Sequence, residues 1–206
     1  MDGSESGGRG MRKRPPIFQI GFNKAGTRSL AQMIADSGVG VRKYEKGLVA
    51  HLIHERLRRG QEPLADFSEA DEYFGDMEGH RTEPNVEAFR YFRELWQWYP
   101  DAYFILNTRD EDGWIKSRFA SGKKRVERHT KYLGAKDERE LEQIWRADWR
   151  RHHAQVEEFF SRVGGRLLVF EITDDAQAVA RFLAPDYEID PKHYGHLGAT
   201  SRKKNG

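Results

Sequence analysis

The sequence predicts an α/β fold in which helices cover both faces of a central parallel sheet. Short apolar runs alternate along the chain with segments of helical periodicity, as in strands joined by right-handed helical crossovers. One run, Ala102 to Asn107, is almost continuously apolar, which is typical of a parallel strand covered on both faces. We expect residues 1–14, rich in Gly and Ser, to form a disordered N-terminal tail and residues 15–206 to form a single domain.

The first half of the chain alternates predicted strands and helices, assigned from apolar runs and from apolar residues at helical spacing. Their bounds are strand 17–20, helix 27–37, strand 39–44, helix 48–59 and strand 72–76. A helix is then expected to begin at Pro84, because the apolar residues after it share one helical face: Val86, Phe89, Phe92, Trp96 and Tyr99. This aromatic stripe is expected to pack in the core.

The second half continues the alternation. Its predicted elements are strand 102–107, a helix capped by Asp110 or Asp112, a long helix over 141–163, strand 167–170 and helix 174–183. Between the first two helices, residues 122–131 break the pattern with many positive charges, and we expect either a solvated loop or a mobile lid that attracts an anionic acceptor or cofactor. His152 lies on the apolar face of the long helix and is expected to be a buried structural residue.

Composition limits the classes of function. The 206 residues carry a formal net charge of +2, so a nucleic-acid partner is not expected. The chain contains no cysteine, which excludes disulfides, thiolate catalysis and thiolate metal sites. No apolar stretch approaches the length of a membrane span and the first residues lack an apolar signal core, so we expect a cytoplasmic enzyme.

A glycine-bracketed loop joins the first strand to its helix. Gly21 and Gly26 permit a tight turn, so that successive N–H groups and the helix N-terminus face inward around an anion. The spacing of the glycines matches a Walker A loop, but Thr27 stands where that motif has lysine, and Lys24 lies inside the loop. The loop is therefore expected to bind phosphate in a P-loop-like three-layer sandwich, while the interpretation as an ordinary kinase is weakened.

A second phosphate-binding element follows the strand at 102–107. Arg109 stands at the strand end, and Ser117 lies eight positions further on, in the following helix. A guanidinium fork chelates phosphate oxygens, and a hydroxyl adds a neutral donor. Ligands of parallel sheets gather beyond the carboxyl ends of the strands, and the residues just past predicted strand ends are Lys24, Glu45, Asp76 and Arg109. We expect one crevice to hold all four.

The loop from Gly21 to Thr27 and the segment from Leu106 to Ser117 together resemble the sulfotransferases that use 3′-phosphoadenosine 5′-phosphosulfate (PAPS) and release 3′-phosphoadenosine 5′-phosphate (PAP). The resemblance implies that Arg109 and Ser117 bind the 3′-phosphate. Arg28 is a departure, because many members have threonine or serine at that position. The residues implied to bind the 5′-phosphate are Lys24, Ala25, Gly26, Thr27, Arg28 and Ser29.

The resemblance also implies transfer of a sulfuryl group to a hydroxyl or amine of a small-molecule or glycan acceptor, with no metal required. Lys24 and the loop N–H groups suit the stabilisation of charge on the leaving oxygen. Glu45 is the first candidate for the base that deprotonates the acceptor, Asp76 is the alternative, and His80 is a weaker third. The tail residues Arg202 and Lys203 are further candidates for contact with the 3′-phosphate.

Two alternatives remain open. A nucleotide or small-molecule kinase of the P-loop class needs Mg²⁺ ligands and a Walker lysine, neither of which is evident in the sequence. A non-catalytic nucleotide-binding module would keep the fold and the phosphate loop but would have no base.

Overall fold

The computed structural model describes residues 14–79 and 85–195. The strands in this part of the chain are β1 (Ile17–Gln19), β2 (Val41–Lys43), β3 (Tyr73–Gly75), β4 (Glu78–Gly79), β5 (Val86–Glu87), β6 (Tyr103–Thr108) and β7 (Arg166–Glu171). The α-helices are α1 (Thr27–Asp36), α2 (Leu48–Arg58), α3 (Phe92–Trp98), α4 (Glu111–Phe119), α5 (Lys123–Leu133), α6 (Glu138–Val163) and α7 (Gln177–Leu183). Short 3₁₀ turns cover Glu45–Gly47, Ala88–Tyr91 and Pro191–His193.

A five-stranded sheet in the order β2-β3-β1-β6-β7 forms the centre of the fold. All four pairings between its neighbouring strands are parallel. Buried residues of α2 to α6 pack on one face of the sheet, and those of α1 and α7 pack on the other. The predicted fold class, a P-loop-like three-layer α/β sandwich, is therefore confirmed.

Successive residues of β1, β3 and β6 enter opposite cores, because side chains alternate across a strand. Phe18 of β1 pairs in register with a phenylalanine on either side, and its ring lies 5.8 Å from that of Phe74 and 5.4 Å from that of Phe104. Ile17, the preceding residue, lies in the other core with Tyr73 and its β6 neighbour. Both faces of the central strand are thus buried, which explains its short apolar sequence.

The strand order determines where a ligand can bind. β1 lies between β3 and β6, so the loops that follow these three strands begin next to one another at the carboxyl edge of the sheet. The loop before α1 is the middle one. Binding sites of open parallel sheets lie at this edge, in the crevice between neighbouring loops.

The prediction of a helix beginning at Pro84 is wrong for the first half of that helix. Residues 86–87 instead pair antiparallel with Glu78–Gly79, and Ala88 N continues this pairing by donating to Met77 O at 2.9 Å. A 3₁₀ turn follows, and only Phe92–Trp98 is α-helical. Tertiary pairing with a segment earlier in the chain overrides the local helical pattern here, although Phe89 and Phe92 are buried as expected.

The basic segment at 122–131 is not a loop, because it forms most of α5. Val126 and His129 are buried on one face of this helix, and the charged residues occupy the rest of its surface. Gly122 and Gly134, both with positive φ, stand at its two ends. Val126 and His129, three positions apart, pack this helix against the core, but the charged residues around them obscure the helical periodicity in the sequence.

His152 is confirmed as a buried structural residue. It is 2% exposed, and its Nε2 lies 2.7 Å from the carbonyl oxygen of Ile20. Most other predicted bounds agree with the observed elements to within a few residues. None of the helices in residues 14–79 and 85–195 is long and apolar enough to cross a membrane. The predictions made for His80, Pro84, Arg202 and Lys203 fall outside the described residues.

Candidate active site

Asn107, the penultimate residue of β6, clamps the loop between β1 and α1. Its side chain is buried; Oδ1 accepts a hydrogen bond from Gly21 N at 3.1 Å. Nδ2 donates to Phe22 O at 3.1 Å and to Ala25 O at 2.8 Å. Gly21 has no room for a side chain, because a Cβ there would lie 2.1 Å from the backbone oxygen of Asn107. One amide group therefore holds both ends of the loop.

Two further side chains bind the carbonyl groups between those ends. Trp114 Nε1 donates to Asn23 O at 3.0 Å, and Arg109 Nη1 donates to Lys24 O at 3.4 Å. With the two bonds described above, the carbonyl groups of residues 22–25 all point toward β6 and α4. Because the C=O and N–H of a trans peptide point in opposite directions, the N–H groups that follow them face the other side of the loop. That of Asn23 donates to Glu78 Oε1, which leaves the N–H groups of residues 24–26 for a ligand. Successive N–H groups that face one side form a concave site for an anion.

The start of α1 adds to this site. Gly26 precedes the helix with φ 79°, and as the N-cap residue it makes no side-chain hydrogen bond to the first turn. Thr27 and Ser29 are nevertheless buried. A Cβ on Gly26 would lie 2.5 Å from the side chain of Ile172, so glycine is required here by space as well as by φ. A negatively charged ligand is favoured at such a helix start.

Lys24 is half-buried in the loop and is surrounded by other charges. Desolvation lowers its pKa most, and the nearby cations Arg125 and Arg28 lower it further. The carboxylates of Asp76 and Glu78 act in the opposite direction. Cations from the loop, from α1 and from α5 therefore converge here. An anion in the concave site would relieve the repulsion between them.

Arg109 lies between the loop and the start of α4. A Cβ on Gly113 would lie 2.7 Å from its Nη2, so the guanidinium covers this glycine. Its Nε is buried without a hydrogen-bond partner in the described part of the chain, since Asp110 Oδ1 lies 3.7 Å away, beyond hydrogen-bond distance. Ser117 is half-buried one turn after Gly113, on the same face of α4. A buried unpartnered donor fits a second anionic group, and Ser117 follows by one helical turn the glycine that this guanidinium covers.

The two candidate carboxylates have different surroundings. Asp76 directly follows β3, its N–H donates to Gln19 Oε1 at 3.2 Å, and its charge acts on Lys24. Glu45 follows the edge strand β2, and its Oε1 accepts a hydrogen bond from Arg42 Nη1 at 3.1 Å. The structure thus brings Asp76 close to Lys24, whereas Glu45 is held in an ion pair at the edge of the sheet.

A family model described as a sulfotransferase domain matches residues 16–133, which is more than half of the chain. The chain belongs to this sulfotransferase domain family. The matched range extends from the residue before β1 to the end of α5, and it includes the candidate site residues from Lys24 to Ser117. Comparison with curated proteins found no match.

Backbone strain in this sulfotransferase domain is concentrated at the same strand ends. In the described residues, those other than glycine with positive φ are Lys24, Tyr44, Glu45, Lys46 and Asp76, with values from 46° to 66°. All of them follow β1, β2 or β3. Such conformations cost about 1–3 kcal/mol each and are typically found at functional sites.

Several residues that hold the site were not assigned this role from the sequence. The sequence marks Asn107 as unusual, because it is a polar residue inside an otherwise apolar strand. Nothing in the sequence marks Glu78 in this way. The residue is buried, with 3% of its surface exposed, and its carboxylate accepts hydrogen bonds from Asn23 N at 3.3 Å and from Asn23 Nδ2. Trp114 was expected only to be part of a helix, yet it binds a loop carbonyl.

Proposed function

We propose that this sulfotransferase domain transfers a sulfuryl group from PAPS to a hydroxyl or amine of a small-molecule or glycan acceptor in the cytoplasm. One observation carries the proposal: the anion site of the loop lies one strand away from the buried, unpartnered Nε of Arg109. A donor with phosphate groups at both ends of its ribose fits two such sites. In this proposal Arg109 and Ser117 hold the 3′-phosphate, and the 5′-phosphate is held by Lys24, Ala25, Gly26, Thr27, Arg28 and Ser29.

PAPS supplies an activated sulfuryl group: its S–O bond to the 5′-phosphate breaks, with both electrons going to the phosphate oxygen, while a new bond forms from sulfur to the acceptor, S–O for a hydroxyl and S–N for an amine. The side chain of Lys24 and the N–H groups of the loop stabilise the charge that develops on that phosphate oxygen. The cations around the loop neutralise the phosphates, so the proposed reaction needs no metal ion.

The acceptor must lose a proton as the new bond forms. Asp76 is the better placed base, because it follows the strand next to β1 and its charge already acts on Lys24. Glu45, the first candidate from the sequence, becomes the alternative, since its strained backbone lies at the next strand end. In either case the carboxylate accepts the proton, and the side chain of Lys24 keeps its own.

The proposal is tested by calorimetry and by transfer of radiolabelled sulfate from PAPS to a panel of hydroxyl and amine acceptors. We expect PAP to bind without a metal and labelled sulfate to appear on an acceptor. Binding of ATP with Mg²⁺ in preference to PAP would replace the proposal with a kinase. Binding of PAP with no transfer to any acceptor would support a non-catalytic nucleotide-binding module.

Lys24→Ala is expected to reduce transfer more than it weakens PAP binding, because the charge of Lys24 matters most when the leaving oxygen develops charge. Lys136→Ala removes an exposed lysine just before α6 and serves as the matched control. Equal losses of transfer and of PAP affinity would instead make Lys24 a residue for ground-state binding.

Asp76→Asn is expected to leave PAP affinity intact and to lower turnover by roughly 10²-fold to 10⁴-fold, the usual contribution of general acid–base catalysis. Glu45→Gln is the matched comparison, with a smaller expected loss. If the Glu45 variant loses turnover and the Asp76 variant keeps it, the role of the base belongs to Glu45. Full turnover in both variants would refute both assignments.

A further inference from the structure

Arg125, in the first turn of α5, reaches the phosphate loop from outside it. The buried residues Val126 and His129 seat α5 against the core and so determine where Arg125 lies. Its Nη2 lies 3.9 Å from Glu78 Oε2, a separation that permits charge attraction but exceeds a hydrogen bond. The guanidinium N–H groups of Arg125 are therefore still able to bind a closer acceptor.

Glu78 connects Arg125 to the loop. Its carboxylate accepts hydrogen bonds from the backbone N–H and the side-chain amide of Asn23, the residue before Lys24. One buried carboxylate thus lies between the guanidinium and the loop. The charge of Arg125 is also, after desolvation, the largest cause of the lowered pKa of Lys24. Both observations place Arg125 next to the concave side of the loop, where the anion is proposed to bind.

The strand order distinguishes the two sides of this site. Arg109 follows β6, on one side of β1, whereas Asp76 and Glu78 follow β3, on the other side. If the 3′-phosphate lies at Arg109 and the 5′-phosphate at the central loop, the sulfuryl group, which is bonded to the 5′-phosphate, lies on the β3 side. Arg125 is on that side, because it pairs with Glu78.

We propose that Arg125 is a further catalytic residue, which donates hydrogen bonds to the sulfuryl oxygens of the bound donor. The inference rests on the proposed function. During transfer the sulfuryl group moves from the phosphate oxygen to the acceptor, the electrons of the broken bond stay with PAP, and the acceptor proton goes to the carboxylate base. Arg125 gives up no proton; it stabilises negative charge on the sulfuryl oxygens and holds the group in line between donor and acceptor.

The test compares the binding of PAPS and PAP by calorimetry in the absence of an acceptor, because only PAPS carries the sulfuryl group. In Arg125→Met we expect the affinity for PAPS to fall by about tenfold or more and that for PAP to change by less than about twofold, as for one lost charge-assisted hydrogen bond. Transfer is expected to fall by about 10²-fold. Arg125→Lys keeps the charge and should recover part of both losses. The matched control, Lys124→Ala, removes an exposed cation from the same turn and should change neither.

Equal weakening of PAPS and PAP would overturn the inference, since Arg125 would then bind the 5′-phosphate. Unchanged PAPS binding and transfer in Arg125→Met would overturn it too. These results differ from a failure of the proposed function, in which the unaltered protein itself binds neither nucleotide or transfers no sulfate. If Arg125→Met does not fold, the comparison is made with Arg125→Lys, and an unchanged ratio of PAPS to PAP affinity together with unchanged transfer refutes the inference.

Discussion

Asn107→Ala is expected to destabilise the protein and to weaken PAP binding at the same time. The substitution removes three buried hydrogen bonds, one accepted from Gly21 N and two donated to Phe22 O and Ala25 O. At a net value of about 1 kcal/mol for each bond, the free energy of unfolding should fall by about 3 kcal/mol. The freed loop must then be ordered when the ligand binds, which should lower the affinity for PAP by about tenfold or more.

Urea unfolding and calorimetric titration with PAP measure the two effects. Thr108→Ala is the matched control at the next position of β6; it removes the hydrogen bond between Thr108 Oγ1 and His153 Nε2, 3.0 Å long, and is expected to cost about 1 kcal/mol with PAP affinity unchanged. An Asn107 variant that loses less than about 1 kcal/mol and binds PAP normally would show that other contacts hold the loop.

Two further predictions concern charge. Arg109→Ala should remove the preference for nucleotides with a 3′-phosphate, a loss of about 2–4 kcal/mol measured by comparing PAP with AMP, and an unchanged preference would contradict the assigned role. Burial lowers the pKa of His152 from 6.5 to about 4, so below pH 6.5 the unfolded chain binds a proton that the folded chain does not. The free energy of unfolding should therefore fall by about 3 kcal/mol between pH 6.5 and pH 4, and this dependence should flatten in His152→Gln; equal slopes for both proteins would refute this explanation.

The part of the site formed by neighbouring residues could be predicted from the sequence. The turn at Gly21 and Gly26, the start of α1 and the position of Arg109 after β6 depend on backbone freedom and on apolar runs within a few residues. Local patterns determine such elements, and parallel strand order then places the strand ends together. The alternation of strands and helices was likewise sufficient to predict the fold class.

Only the tertiary structure decided how the loop is held and which charges surround Lys24. Asn107 binds Gly21 across 86 positions of the chain, and Glu78 binds Asn23 across 55. The antiparallel pairing at Glu78–Gly79 and the position of Arg125 on α5 depend on similar contacts between distant segments. Contacts between distant segments leave no periodic pattern in the sequence. The burial of a side chain and the direction in which it points are determined only when the elements pack together. The sequence by itself therefore determined the elements and the loop, whereas the distances between charges came from the packing of one element on another.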